Sequence, residues 1–285
     1  MEYCEGVCAV IRLIATDLDD TLLDAGSDIT PRTQAALNAA MAAGCGVALS
    51  SGRMLEATLP FAERIGAFAP MLLYNGAWIY DHRAGETIRA QRVPFETALG
   101  IARLLEAMGF YFQIYPGTGY LCSEIRDQTR RYAASVRVAP AAVGMPLSRW
   151  LEANPADLFK LLLIDTPEGA DRAQAALREA FPAGASYLKS RPNYLEIAPE
   201  GVDKGRSLAA LGAHLKLSRR EIMAFGDGQN DAPMLEYAGI GCAVANACPQ
   251  ALAAADMVAP PNTEDGVAQM IEQFLREGRI GPMRR

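Results

Sequence analysis

The sequence predicts an α/β protein: a Rossmann-like parallel-sheet core with an inserted α+β module. Three observations predict it. Short apolar runs end abruptly in polar or acidic residues, helical stretches punctuated by Gly and Pro separate those runs, and the texture changes between about Asp81 and Lys189. The 285 residues suit two such units, since a single core rarely grows beyond about 250–300 residues.

The first apolar run, from Ile11 to Thr16, stops at Asp17, as a buried strand does when its carboxyl end opens into a polar site. Thr30 followed by Pro31 reads as an N-cap with proline at the first helical position, and an Ala/Leu/Met-rich helix runs to Gly44. Gly46 to Ser50 is a second buried strand, Met54 to Ile65 a helix, and Met71 to Tyr74 a third strand that runs into Asn75 and Gly76. Strands alternating with helices imply right-handed crossovers and a parallel sheet, with ligands beyond the carboxyl ends of the strands. Asp17, Ser51 and Asn75 all fall at such ends.

Inside the insert come aromatic strand-like pieces (Tyr111 to Tyr115, Tyr120 to Ser123) and a strand-helix-strand unit from Phe159 to Leu188. The parent pattern is expected to resume with Tyr194 to Ala198, a helix from Lys204 and a strand from Glu221 to Phe225. The expected division is therefore 1–81 with 190–285 for the core and 82–189 for the insert.

Composition excludes several function classes. A net charge of −6 offers no basic field for a phosphate backbone, so nucleic acid is not an expected partner. No stretch approaches the roughly 20 apolar residues that span a bilayer, so no membrane is expected. The first ten residues carry Glu2 and Glu5 but no Lys or Arg, which argues against a signal peptide. The six cysteines form no CxxC pair and are read as reduced thiols of a cytoplasmic protein. Cys4 and Cys8 sit at helical spacing, but a shared metal would have to recruit His82 or His214, and neither histidine has a partner at a telling spacing.

Two acidic clusters carry the chemistry. Asp17 and Asp19 lie two residues apart just past a buried strand, an arrangement suited to a nucleophile beside an acid/base; an Asp-rich turn is the plainer reading of that cluster alone. The second cluster, Gly226 to Asp231, follows another apolar strand, so the fold brings Asp227 and Asp231 to the same sheet edge. Two unit charges about 4 Å apart repel by roughly 4 kcal/mol at an effective dielectric near 20, so four acids at one edge call for a cation. Oxygen ligands without His or Cys select magnesium.

Four segments in order, Asp17 to Leu22, Ser50 to Arg53, Glu200 to Gly205 and Gly226 to Asp231, resemble the motifs of the haloacid dehalogenase superfamily. The wording at Asn75-Gly76-Ala77 and at Tyr194 to Ile197 is similar to its Cof-like phosphatase branch. The resemblance spans Ile11 to about Phe274 and departs at Gly228, where Asn is frequent.

The resemblance implies a Mg2+-dependent phosphatase that forms an aspartyl phosphate on Asp17. Asp19 is the implied acid/base, Ser51 the hydroxyl that binds a phosphoryl oxygen, and Lys204 the cation that offsets charge. The implied metal ligands are Asp17, the Asp19 carbonyl, Asp227 and Asp231, the last directly or through water; Arg53, Asn75 and Asn230 are implied near phosphate or substrate. The insert corresponds to the branch's α/β cap, with Tyr115, Tyr120, Arg126 and Arg191 as candidates to contact substrate, although aromatics in such a module are usually core.

The expected partner is a small phosphorylated metabolite, a sugar phosphate first, pyridoxal phosphate or FMN next, acted on by a monomer or homodimer. A sugar phosphomutase and a non-enzymatic phosphate-responsive binding protein are the alternatives.

Overall fold

The structure, a computed structural model, describes residues 10–283, so Cys4 and Cys8 lie outside the described residues. The described chain divides into two compact units, 10–51 with 59–87 and 203–283, and 52–58 with 88–202.

The first unit is built on a five-stranded parallel sheet. Its strands are β1 (Leu13–Thr16), β2 (Gly46–Leu49), β12 (Ile222–Gly226), β13 (Ile240–Val244) and β14 (Met257–Ala259), in the order β14-β13-β12-β1-β2. β1 and β2 are buried at every position, which is why their sequences are unbroken apolar runs and not alternating ones. The registers Thr16 to Phe225 and Thr16 to Leu49 align the carboxyl ends of β1, β12 and β2.

Helix α1 (Pro31–Ala42) begins as its sequence dictates, with the Thr30 hydroxyl accepting from the Thr33 amide at 3.1 Å. Helix α7 (Lys204–His214) is capped by Asp203, whose carboxylate accepts from the Arg206 amide at 2.7 Å. Strand β3 (Met71–Leu73) departs from the expectation of a further full parallel strand. It meets the parallel sheet through a single bridge, Ser50 to Leu72, and pairs antiparallel with β4 (Trp78–Asp81) in a small three-stranded sheet.

The second unit contains a six-stranded, mostly antiparallel sheet, in the order β10 (Ala185–Arg191), β11 (Tyr194–Pro199), β9 (Lys160–Ile164), β6 (Phe112–Tyr115), β7 (Leu121–Cys122) and β8 (Ala141–Ala142). Phe112, Ile114, Leu161, Leu163, Leu195 and Ile197 share one face and pack with helices α3 (Phe95–Ala107), α5 (Leu147–Ala153) and α6 (Pro167–Ala180) in one apolar core. Gln113, Tyr115, Lys160, Leu162 and Glu196 alternate onto the other face.

The strand from Tyr194 therefore does not resume the parent pattern. Tyr194–Pro199 pairs with β9 and β10, and the boundaries fall at 87/88 and 202/203, later than the expected 81/82 and 189/190. An amphipathic strand reads alike in either sheet, so only its hydrogen-bonding partners decide the unit. Segment 52–58 also groups with the insert, a non-contiguity that no linear reading of the chain supplies.

Candidate active site

The site of the first unit forms where β1, β2 and β12 end. Asp17 is the first residue beyond β1, and its amide donates to the Phe225 carbonyl at 3.0 Å, which fixes the residue against β12. The chain then turns through a short helical segment, Leu18–Leu22, in which Asp19 is extended and Asp20 left-handed, with φ 57°. The Asn246 side chain donates to the Asp20 carbonyl at 2.7 Å and holds that turn.

Lys204 is the centre of the arrangement. Its side chain is fully buried, and the ammonium donates to Asp17 Oδ1 at 2.5 Å, Asp231 Oδ1 at 2.5 Å and the Ser50 carbonyl at 3.0 Å. Three donors meet three acceptors, so the ammonium is fully satisfied. Burial opposes its charge, but Asp17 and Asp231 outweigh burial and hold its pKa above the ordinary lysine value.

The acids respond in the opposite sense. Burial, reinforced by Asp231, Asp227 and Asp19, pushes the Asp17 carboxyl well above its ordinary value, with Lys204 pulling the other way. Asp227 is pushed up to about 6, chiefly by burial, against the Thr21 hydroxyl that donates to its Oδ1 at 2.6 Å.

Asp231 is almost wholly spoken for. Its Oδ1 accepts from Lys204, and its Oδ2 accepts from the amides of Asp227 at 3.1 Å and Gly228 at 2.8 Å. Gly226 permits this fold-back, because a Cβ there would stand 2.4 Å from that of Asp231.

Ser51 and the two asparagines join the same edge. The Ser51 amide donates to the Leu72 carbonyl at 2.8 Å, the Asn75 amide to the Ser51 carbonyl at 3.0 Å, and Asn230 Nδ2 to Asn75 Oδ1 at 3.0 Å. Tyr74 and Asn75 both take positive φ, 52° and 57°, a costly backbone for a residue as bulky as tyrosine and of a kind that clusters at functional sites.

One carboxylate oxygen each from Asp17, Asp227 and Asp231 can be chosen so that all lie within 4.8 Å of one another. This set fits a hard divalent cation: every donor is a carboxylate oxygen, and a cation there would offset the mutual repulsion of Asp17, Asp227 and Asp231.

The structure thus brings together Asp17, Ser51, Asn75, Lys204, Asp227, Asn230 and Asp231, with Asp19 near enough to raise the Asp17 pKa. Arg53 is buried in the second unit's 52–58 segment. Tyr115 and Tyr120 stack on each other at 5.5 Å and are buried, the usual fate of aromatics in such a module. Arg126 pairs with Glu124 at 2.6 Å, and Arg191 is exposed beside the Tyr194 ring. His82 bonds the Ala67 carbonyl, and His214 is exposed in the last turn of α7.

The sequence reading gave Thr21 no role, although it lies in the first motif, and took no account of the Ser50 carbonyl. A threonine two residues past the second acid of a strand-end cluster is the signal that would have found the first. A backbone acceptor leaves no trace in a sequence.

A buried lysine thus bridges two carboxylates at the ends of parallel strands, with the Asp227 carboxylate beside them. The model of the haloacid dehalogenase-like hydrolases matches residues 14–271, and the chain belongs to that family. It is an enzyme of the phosphatase class. It is 28% identical over 271 residues to the putative phosphatase YxeH of Bacillus subtilis (strain 168), covering 93% of this chain and 98% of the relative. It is also 28% identical over 271 residues to the pyridoxal phosphate phosphatase YbhA of Escherichia coli (strain K12), with the same coverage. Among solved structures, TM0651 of Thermotoga maritima superposes with a TM-score of 0.83 at 32% identity, covering 92% of this chain and 97% of that one. No helix among the described residues is long and apolar enough to cross a membrane.

Proposed function

We propose that the chain is a magnesium-dependent phosphatase that hydrolyses phosphate monoesters of small metabolites through an aspartyl-phosphate intermediate on Asp17. Sugar phosphates are the leading substrates, with pyridoxal phosphate and FMN next; the name of the relative YbhA adds weight to pyridoxal phosphate. The observation that carries this reading is the fully buried Lys204 ammonium held 2.5 Å from Asp17 Oδ1 and 2.5 Å from Asp231 Oδ1.

In the first step an Asp17 carboxylate oxygen attacks phosphorus, the bond to the leaving oxygen breaks, and Asp19 protonates that oxygen. In the second, Asp19 takes a proton from water, which attacks the acyl phosphate and frees Asp17 and inorganic phosphate. Lys204 and the Ser51 hydroxyl stabilise charge on the phosphoryl oxygens throughout. Asp17, the Asp19 carbonyl and Asp227 would hold the magnesium ion, which neutralises charge on the acids and the phosphoryl group. The bonds already made by both Asp231 oxygens favour a role in orienting Lys204 and the 226–228 turn, with contact to the ion through water.

Phosphate release from p-nitrophenyl phosphate, sugar phosphates and pyridoxal phosphate, with magnesium or EDTA, tests the reading on wild type and Asp17→Asn. Magnesium-dependent release, lost in the variant, is the expected result. Isomerised product without free phosphate would move the assignment to a sugar phosphomutase, and no turnover by folded protein to a binding protein.

A further inference from the structure

Ser51 lies between two carbonyls that each accept from a buried lysine. In the first unit Lys204 Nζ donates to the Ser50 carbonyl at 3.0 Å; in the second, Lys160 Nζ donates to the Gly52 carbonyl at 3.1 Å. Lys204 is explained by the carboxylates it bridges. Lys160 calls for its own explanation.

Lys160 interrupts an otherwise apolar stretch, Phe159 to Ile164, and stands on the face of β9 opposite the apolar core of the second unit. It is 4% exposed and pairs with Glu196, 8% exposed, at 3.4 Å; the Tyr115 ring lies 5.0 Å from its ammonium. Stability alone gives little reason to keep such a pair, because the desolvation of two buried ions consumes most of the attraction between them, and an apolar pair of like size often serves as well. What an apolar pair cannot do is donate a hydrogen bond to a backbone carbonyl. Lys160 does so at the residue joined to Ser51 by a single peptide bond.

We infer that Lys160 is a positioning residue: it anchors the Gly52 carbonyl and so fixes the backbone from which the Ser51 hydroxyl is presented to the phosphoryl group. Glu196 holds the ammonium in place. The inference rests on the role given to Ser51 under the phosphatase reading.

The test compares Lys160→Met, Lys160→Arg and the core variant Leu163→Ala, using p-nitrophenyl phosphate for turnover and inorganic phosphate as inhibitor. A displacement of about 1 Å at a positioning site costs up to about 100-fold in rate, so Lys160→Met should lower kcat about 10- to 100-fold and weaken phosphate inhibition in parallel. Lys160→Arg, which retains a charged donor, should recover most of both. Leu163→Ala should lose thermal stability while keeping kcat within about twofold.

Unchanged kcat and phosphate inhibition in Lys160→Met would overturn the inference, as would losses that track Tm alike in Lys160→Met and Leu163→Ala. If Lys160→Met does not fold, Glu196→Gln is read in the same way: a several-fold fall in kcat at unchanged Tm supports the role, and wild-type kinetics overturn it. Wild type that releases no phosphate would instead sink the phosphatase reading, and the inference with it.

Discussion

The Lys204 ammonium lies 2.5 Å from Asp17 Oδ1 with its side chain wholly excluded from solvent. An ion pair so placed cannot be broken from one side without leaving the partner buried and uncompensated. Lys204→Met should therefore cost about 3–5 kcal/mol of folding stability and about 100- to 1000-fold in kcat. Urea unfolding and steady-state kinetics read the two effects separately. A variant of wild-type stability would show that Asp17 and Asp231 find other compensation.

Asp227 carries the clearest pH signature. Its carboxyl is pushed from 3.8 to about 6, chiefly by burial, so the folded state holds this proton more firmly than the unfolded state does. Between those values the folded protein binds more protons, and the stability of the cation-free protein should fall as pH rises through about 4 to 6. On the proposed reading magnesium would compete with the proton, so its effect on Tm should be larger at pH 7.5 than at pH 5. Thermal melts with magnesium and with EDTA at both pH values test this, and equal shifts would contradict it.

The Thr21 hydroxyl donates to Asp227 Oδ1 at 2.6 Å and counters the rise in its pKa. Thr21→Val keeps the side chain's shape and removes the donor. Loss of a hydrogen bond that orients a metal-binding group commonly weakens metal affinity about 10- to 100-fold. The magnesium concentration for half-maximal activity should rise accordingly, with kcat at saturating magnesium changed far less.

Gly76 is confined by Ser207. Its φ is 95°, and a Cβ there would stand 2.2 Å from Ser207 Oγ, the atom that donates to the Gly76 carbonyl at 2.7 Å. Gly76→Ala should destabilise by about 1–3 kcal/mol and disturb Asn75, the next residue back. The denaturant midpoint and the KM for a sugar phosphate should both move; a stable variant with altered KM alone would place the effect in the asparagine contact.

Much of the first unit was legible because parallel strands buried on both faces leave unbroken apolar runs, and the polar residues that stop those runs mark where a ligand is met. Asp17, Ser51, Asp227 and Asp231 stand out on that ground, and the Thr30-Pro31 pair announced a helix that begins where the cap bond requires. Strand Tyr194–Pro199 was placed in the wrong unit for a physical reason: amphipathic alternation says that a strand has two unlike faces but not which sheet it joins.

The sequence by itself determined the fold class and the gathering of Asp17, Asp227 and Asp231 at one edge of the sheet, because these are written in local residue type and order; Lys204 was legible only through the resemblance of its segment to a family motif. Only the tertiary structure decided that Lys204 bridges Asp17 and Asp231, that Thr21 holds Asp227, and that carbonyls flanking Ser51 accept from Lys204 and Lys160. Lys204 lies 187 positions from Asp17, and Lys160 lies 108 from Gly52. Contacts at such separations follow from strand order and crossover, and backbone acceptors carry no residue identity by which a sequence could reveal them.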